Sequence, residues 1–262
     1  MTFPVLLDLG FVRLHPHFVF ESLAYFIGFR LYLYTRDKSS HPPLAGMWVL
    51  VGAILGGALG SKLLYWLEDP GETLSRWNDY TYVMGGKTIV GGLLGGLIGV
   101  EWTKKRVGIT RSTGDDMAVP LCVGIALGRI GCFLTGLEDH TYGKATAWWT
   151  GIDFGDGILR HPTQLYEIAL LMALGCVLFV LRRQSRQGRL MLPNGALFQM
   201  FMFSYLLFRF FIDFIKPVPH VYGGLNNIQL ACLAGLIYYA NLLRQWNRRL
   251  ASTREEPSIY AD

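Results

Sequence analysis

Eight ionisable side chains stand inside the long apolar stretches of this 262-residue chain: Glu21, Arg30, Lys62, Glu101, Arg129, Glu167, Arg209 and Asp213, with Lys87 at the edge of one. A charge inside an apolar span is costly to bury and marks function by default. Arg30 and Glu101 lie toward span ends, where their stems can carry the charge back to water. Lys62, Arg129 and Arg209 each lie five or six residues from the same end of their stretches. At about 1.5 Å per residue that places all three roughly 7–9 Å below a common surface. Three cations at one depth on three helices describe an anion site. Arginine's planar fork suits a phosphate and keeps its charge at any physiological pH, so a phospholipid headgroup is the natural occupant. The competing reading makes Arg209–Asp213 and Arg129–Glu138 purely structural ion pairs.

Cys132 follows Arg129 by three residues, on the same helix face. A neighbouring cation favours the thiolate, which makes Cys132 a candidate nucleophile, against the alternative of a buried structural cysteine. The four cysteines show no metal-ligand spacing, all lie within apolar stretches, and read as small core side chains. No metal, cofactor or nucleotide motif is read from the sequence.

The elements that must position these groups follow from composition. Apolar residues make up 52% of the chain, charged residues only 16%, and mean hydropathy is +0.32. These values exclude a disordered chain and an ordinary soluble domain. Apolar stretches fall at 18–34, 44–67, 86–102, 117–135, 164–181, 196–215 and 225–243. Each approaches or exceeds the ~17 residues needed to cross a bilayer. The expected fold is an all-α integral membrane protein: one domain, 1–262, built as a seven-transmembrane-helix bundle. The long connection 136–163, with Tyr142, Trp148, Trp149 and Phe154, is expected to form a structured cap at the interface.

Connections alternate in charge. Arg36 and Lys38, then Lys104, Lys105, Arg106 and Arg111, then Arg182, Arg183, Arg186 and Arg189 lie on one set, with a basic tail. The other set carries Glu68, Asp69, Glu72, Asp79, Glu138, Asp139, Asp153 and Asp156 and few cations. The positive-inside rule then puts the N-terminus outside and the C-terminus in the cytoplasm. The net charge of +5 is therefore a topology signal and not a nucleic-acid footprint. Met1–Leu14 lacks the features of a cleavable signal peptide. Gly52, Gly56 and Gly60, Gly91, Gly95 and Gly99, and Gly124 and Gly128 repeat every four residues in spans 2, 3 and 4, and those three helices are expected to pack together.

Several motifs together resemble the bacterial prolipoprotein diacylglyceryl transferase family. They are Gly85-Gly86-Lys87-Thr88-Ile89-Val90-Gly91-Gly92-Leu93, Gly128-Arg129-Ile130-Gly131-Cys132-Phe133-Leu134-Thr135-Gly136, Tyr142-Gly143, Arg160-His161-Pro162-Thr163-Gln164-Leu165-Tyr166-Glu167, and Phe208-Arg209-Phe210-Phe211-Ile212-Asp213-Phe214. The resemblance implies a transferase of a bacterial inner membrane. It would move the diacylglyceryl group of phosphatidylglycerol to the thiol of a lipobox cysteine in a lipoprotein precursor. It implies catalytic roles for Arg129 and Arg209. It places Arg129, Lys62, Lys87, Thr135, Gly143, His161, Gln164, Glu167 and Asp213 around the lipid.

Three positions depart from the family pattern: Val90 stands where a histidine is expected, Cys132 where asparagine is, and Glu21 where tyrosine is. Glu21 is then a candidate replacement base, or else a counter-ion for a neighbouring cation. His140 and His161 are the other candidate bases, although His161 also reads as a cap for span 5 with Pro162 at its first position. A relative with a different acceptor, and a non-catalytic lipid-binding or lipid-flipping protein, remain alternatives.

Overall fold

A computed structural model describes residues 3–8, 10, 13–36 and 43–255. Lys38 of the first basic loop lies outside them. A two-residue hairpin, β1 (Leu7–Asp8) with β2 (Arg13–Leu14), precedes α1 (Pro16–Thr35) and α2 (Pro43–Trp66). Two short helices follow, α3 (Pro70–Ser75) and α4 (Tyr80–Met84), then α5 (Ile89–Val107) and α6 (Asp115–Thr135). A 3-10 turn (Gly136–Asp139) and the hairpin of β3 (Ile152–Asp153) with β4 (Leu159–Arg160) lead to α7 (Thr163–Arg186). The chain closes with α8 (Ala196–Ile212) and α9 (Asn227–Glu255).

The described residues thus hold nine α-helices and not seven. Every expected span has its helix; the surplus is α3 and α4, which fold the 68–85 connection. Asp69 and Asp79 start them by accepting hydrogen bonds from backbone N–H groups of the first turn. Four helical segments among the described residues are long and apolar enough to cross a membrane: Leu44–Trp66, Asp115–Asp139, Thr163–Arg186 and Ala196–Ile215. α1, α5 and α9 fall short of that because polar residues interrupt them. α1 carries His17, Glu21 and Arg30, α5 carries Glu101 and Lys104–Arg106, and α9 begins with Asn227 and Gln229.

Glycines set the closest contact. Gly52, Gly56 and Gly60 of α2 lie directly against Gly91, Gly95 and Gly99 of α5, and a Cβ on Gly95 would come 2.8 Å from the Gly60 Cα. No side chain fits between these backbones. The third glycine helix does not join them. α6 packs instead along α1 and α7, and Gly124 faces the Ala24 carbonyl of α1. A four-residue glycine repeat says that a helix approaches something closely, not which helix. The apolar core joins α5–α9 through Val90, Ala118, Cys122, Leu171, Leu178, Phe201, Met202, Tyr205, Leu206 and Cys232. Cys176 faces outward, against the expectation that all four cysteines are buried.

The 136–163 connection is structured. Asp153 accepts hydrogen bonds from the backbone N–H groups of Gly155, Asp156 and Gly157, closing the β3–β4 turn. Phe154 packs with Phe3 and Phe133, fixing the cap over the end of α6. Trp148 and Trp149 are left exposed on it.

Candidate active site

Arg129 on α6, Glu167 on α7 and Arg209 on α8 meet at the capped end of the bundle. Arg129 Nε lies 2.9 Å and Arg209 Nη1 3.3 Å from the same oxygen, Glu167 Oε2. The Arg129 contact is an ion pair whose N–H is not aligned for a hydrogen bond. Tyr205, one turn before Arg209, donates its hydroxyl proton to Glu167 Oε1 at 2.6 Å. Arg209 Nη2 donates to Asp213 Oδ1 at 2.8 Å, and Asn226 donates to Asp213 Oδ2 at 3.3 Å. Lys216 Nζ stands 4.0 Å from Asp213 Oδ1. All these charged groups are buried. Burial first, then the nearby Arg209 and Arg129 guanidiniums, push the Lys216 ammonium down to about 7. Buried charges persist only when paired, and here Arg129, Arg209 and Lys216 are set against Glu167 and Asp213, with Glu68 also acting on Lys216 and Arg209.

A second cluster adjoins Arg129. Its terminal Nη1 lies 3.8 Å from Cys132 Sγ, so the two share a helix face as their spacing predicts. Cys132 Sγ is 4.0 Å from His17 Nδ1, and His17 Nδ1 is 2.9 Å from Asp139 Oδ1. Thr141 donates to Asp139 Oδ2 at 2.5 Å. His17 Nε2 faces Glu21 Oε2 at 3.6 Å, and Lys87 closes on Glu21 Oε1 at 2.5 Å. A cavity of about 330 Å³ opens here, lined by His15, His17, Phe18, Glu21, Thr135, Glu138 and Asp139.

The remaining expected residues divide. Glu21 faces the cavity and is also locked to Lys87, the contact that a counter-ion makes. Thr135 lines the cavity, with its hydroxyl donated to the Gly131 carbonyl. Gln164 Nε2 donates to the Thr141 hydroxyl at 3.1 Å. Gly143 donates its N–H to the His161 carbonyl, and a Cβ at Gly143 would strike the His161 side chain at 2.7 Å. Glycine is required there by close approach. Lys62 does not join the two arginines. Its ammonium donates to the carbonyls of Met84, Gly85 and Gly86, which would otherwise lack partners where α4 ends. Arg129 pairs with Glu167 and not with Glu138, which faces His15 at 3.5 Å. His161 makes no cap bond to α7. Pro162 is itself the cap residue, and His161 Nδ1 meets the Tyr166 hydroxyl at 3.2 Å. Val90 is buried in the apolar core, with no proton to offer.

Sequence reasoning missed His17, Asp139, Tyr205 and Lys216 as site residues. His17 precedes Glu21 by four residues and Tyr205 precedes Arg209 by four, so the one-turn spacing was available as a signal. Asp139 sits in a turn that no periodicity places.

Together these features define a helical membrane protein that buries two guanidiniums on one carboxylate, with a thiol and a histidine–carboxylate pair beside them. The family model described as prolipoprotein diacylglyceryl transferase matches residues 4–244. A relative from Geobacter sulfurreducens is 33% identical, covering 93% of this chain and 92% of its own length. One from Wolbachia pipientis is 31% identical over 94% of this chain and 97% of its own, and one from Glaesserella parasuis is 32% identical over 81% and 79%. All three carry the description phosphatidylglycerol–prolipoprotein diacylglyceryl transferase. The chain belongs to the prolipoprotein diacylglyceryl transferase family.

Proposed function

We propose that this protein transfers the diacylglyceryl group of phosphatidylglycerol to the thiol of a lipobox cysteine in a lipoprotein precursor. The observation that carries the reading is the meeting of two buried guanidiniums, from α6 and α8, at one carboxylate oxygen, with Lys216 close by. In this reaction the acceptor sulfur attacks the glyceryl carbon. The carbon–oxygen bond to phosphate breaks, its electron pair stays on the phosphate oxygen, and glycerol phosphate departs with an added negative charge. Fixed cations in a dry site stabilise that charge as it develops. Arg129 engages Glu167 through Nε and faces Cys132 through Nη1, which leaves Nη2 for the phosphate. Arg209, held by Asp213, completes the positive wall. Thr135, Gly143, His161, Gln164 and Lys87 shape the approach of the headgroup. The contacts of Glu21 with Lys87 and His17 support an orienting and counter-ion role over the base role read from sequence.

The topology that fits is a single domain in a bacterial inner membrane. In it, α1, α5 and α9 cross the bilayer with the four apolar helices, making seven spans. The N-terminus and the 136–163 cap lie outside, with the C-terminus in the cytoplasm. Alternating loop charge supports this, and it sets the site at the outer leaflet.

The buried Val90 keeps one rival reading alive, a relative with another acceptor. Complementation of a strain depleted of its ordinary transferase separates the two. Rescue is the expected result; lipid turnover without rescue would overturn the acceptor assignment.

A further inference from the structure

The attacking sulfur must lose its proton, and the structure offers a device for that purpose beside the two arginines. We propose that His17, Cys132 and Asp139 bind a zinc ion whose open fourth position takes the acceptor thiol as thiolate. The inference rests on the transferase reading for its purpose, and on geometry for the site itself.

The three ligand atoms, His17 Nδ1, Cys132 Sγ and one Asp139 carboxylate oxygen, come from α1, α6 and the turn after α6, and all lie within 4.8 Å of one another. Two of the separations are 2.9 Å (N to O) and 4.0 Å (N to S). Tetrahedral zinc with ordinary bond lengths asks for about 3.4 Å and about 3.6 Å, so shifts of roughly half an ångström seat the ion. A set of one thiolate, one imidazole and one carboxylate suits zinc and is too soft for magnesium or calcium. Three protein ligands with a fourth position open are the pattern of a reactive zinc site, not of a structural one.

The surroundings agree. A ligating histidine commonly presents its other ring nitrogen to a carboxylate, and His17 Nε2 faces Glu21 Oε2 at 3.6 Å. A ligating carboxylate is commonly held by a hydrogen bond on its second oxygen, and Thr141 supplies one to Asp139 Oδ2. Two anionic ligands cancel the charge of the ion, so the Arg129 guanidinium 3.8 Å from Cys132 Sγ does not oppose its binding. Both Cys132 and Asp139 are nearly buried, while His17 is open to the cavity, which gives the ion and the acceptor a way in.

The step balances without a further reactant. The acceptor S–H proton passes to the zinc-bound water or hydroxide that the sulfur displaces, and leaves through the cavity. The sulfur then attacks the glyceryl carbon while the phosphate departs toward Arg129 and Arg209. On this account Cys132 is a ligand and not the nucleophile.

The test uses the full chain in detergent, stripped with a chelator, then titrated with zinc and, separately, with cobalt as a coloured substitute. Wild type is expected to take up one equivalent, with an intense tetrahedral cobalt spectrum and a thiolate-to-cobalt band. Cys132→Ser should lose that band. Asp139→Asn should weaken binding, and Glu21→Gln, which among the three ligands touches only the histidine, should weaken it about 10–100-fold. Adding a lipobox peptide should change the cobalt spectrum, and its Cys→Ser version should not. No uptake by wild type, or uptake unchanged in both Cys132→Ser and Asp139→Asn, overturns the site. Full transfer by metal-free protein overturns the zinc step and leaves the transferase reading standing. Zinc uptake with no transfer under any condition leaves the site standing and overturns the transferase reading.

Discussion

Replacing Glu167 by glutamine removes the one carboxylate that both arginines share. Its Oε2 lies 2.9 Å from Arg129 Nε and 3.3 Å from Arg209 Nη1, with all three side chains no more than 7% exposed. Glutamine keeps the shape and an acceptor for the Tyr205 hydroxyl, so the change isolates the charge. Breaking a buried pair by removing one partner costs about 3–5 kcal/mol, because the remaining charge stays buried and unpaired. For a chain of this size about 1 kcal/mol moves Tm by about 2–4 °C, so the variant should melt roughly 6–20 °C lower. Circular dichroism or tryptophan fluorescence in detergent reads the shift. Phosphatidylglycerol, whose phosphate can take the vacated place between the guanidiniums, should restore part of the loss, and a zwitterionic lipid should restore less. Glu167→Gln melting within about 2 °C of wild type would refute the claim that this carboxylate holds the two guanidiniums.

Three further outcomes are expected. Gly95→Leu should separate α2 from α5, because even a Cβ there meets the Gly60 backbone; proteolysis or thermal melting should show a loss of at least about 1–3 kcal/mol. Lys216 is held near 7 against its ordinary value of 10.5, so the folded protein binds fewer protons than the unfolded chain between those values, and stability should rise with pH across that window. The groups acting on it are Arg209, Arg129, Asp213, Glu167 and Glu68, of which the two arginines keep their charge throughout. Lys216→Met should flatten that rise, as read by thermal melts in a pH series. A cysteine placed at Lys144 should label from the outside of intact cells and one at Arg186 should not; the reverse pattern would invert the topology.

Much of this was legible in the sequence because membrane burial makes charges conspicuous. Arg129, Glu167, Arg209 and Asp213 stand out from apolar runs, and the structure brings them together. The seven apolar stretches map onto α1, α2 and α5–α9 within a few residues at their site-facing ends. What the sequence hid was partner choice. Periodicity places a side chain on a helix face but does not say which helix that face meets. Thus the competing structural-pair reading sets Arg129 on Glu138, a neighbour in sequence, whereas its partner Glu167 arrives from α7. Lys62 was grouped with the arginines by depth, whereas the carbonyls at the end of α4 claim it. His17 and Cys132 are 115 residues apart, and only the packing of α1 on α6 makes them neighbours.

The most direct measurement of the central claim is a mass spectrum. The protein is placed in liposomes containing phosphatidylglycerol together with a lipobox peptide bearing one cysteine, and both products are followed. The account predicts a diacylglyceryl thioether on the peptide, an equal amount of glycerol phosphate released, and neither product from Arg129→Gln or Arg209→Gln. A peptide unmodified while phosphatidylglycerol is consumed, or modified as fast by the double Arg129→Gln, Arg209→Gln variant as by wild type, would contradict it.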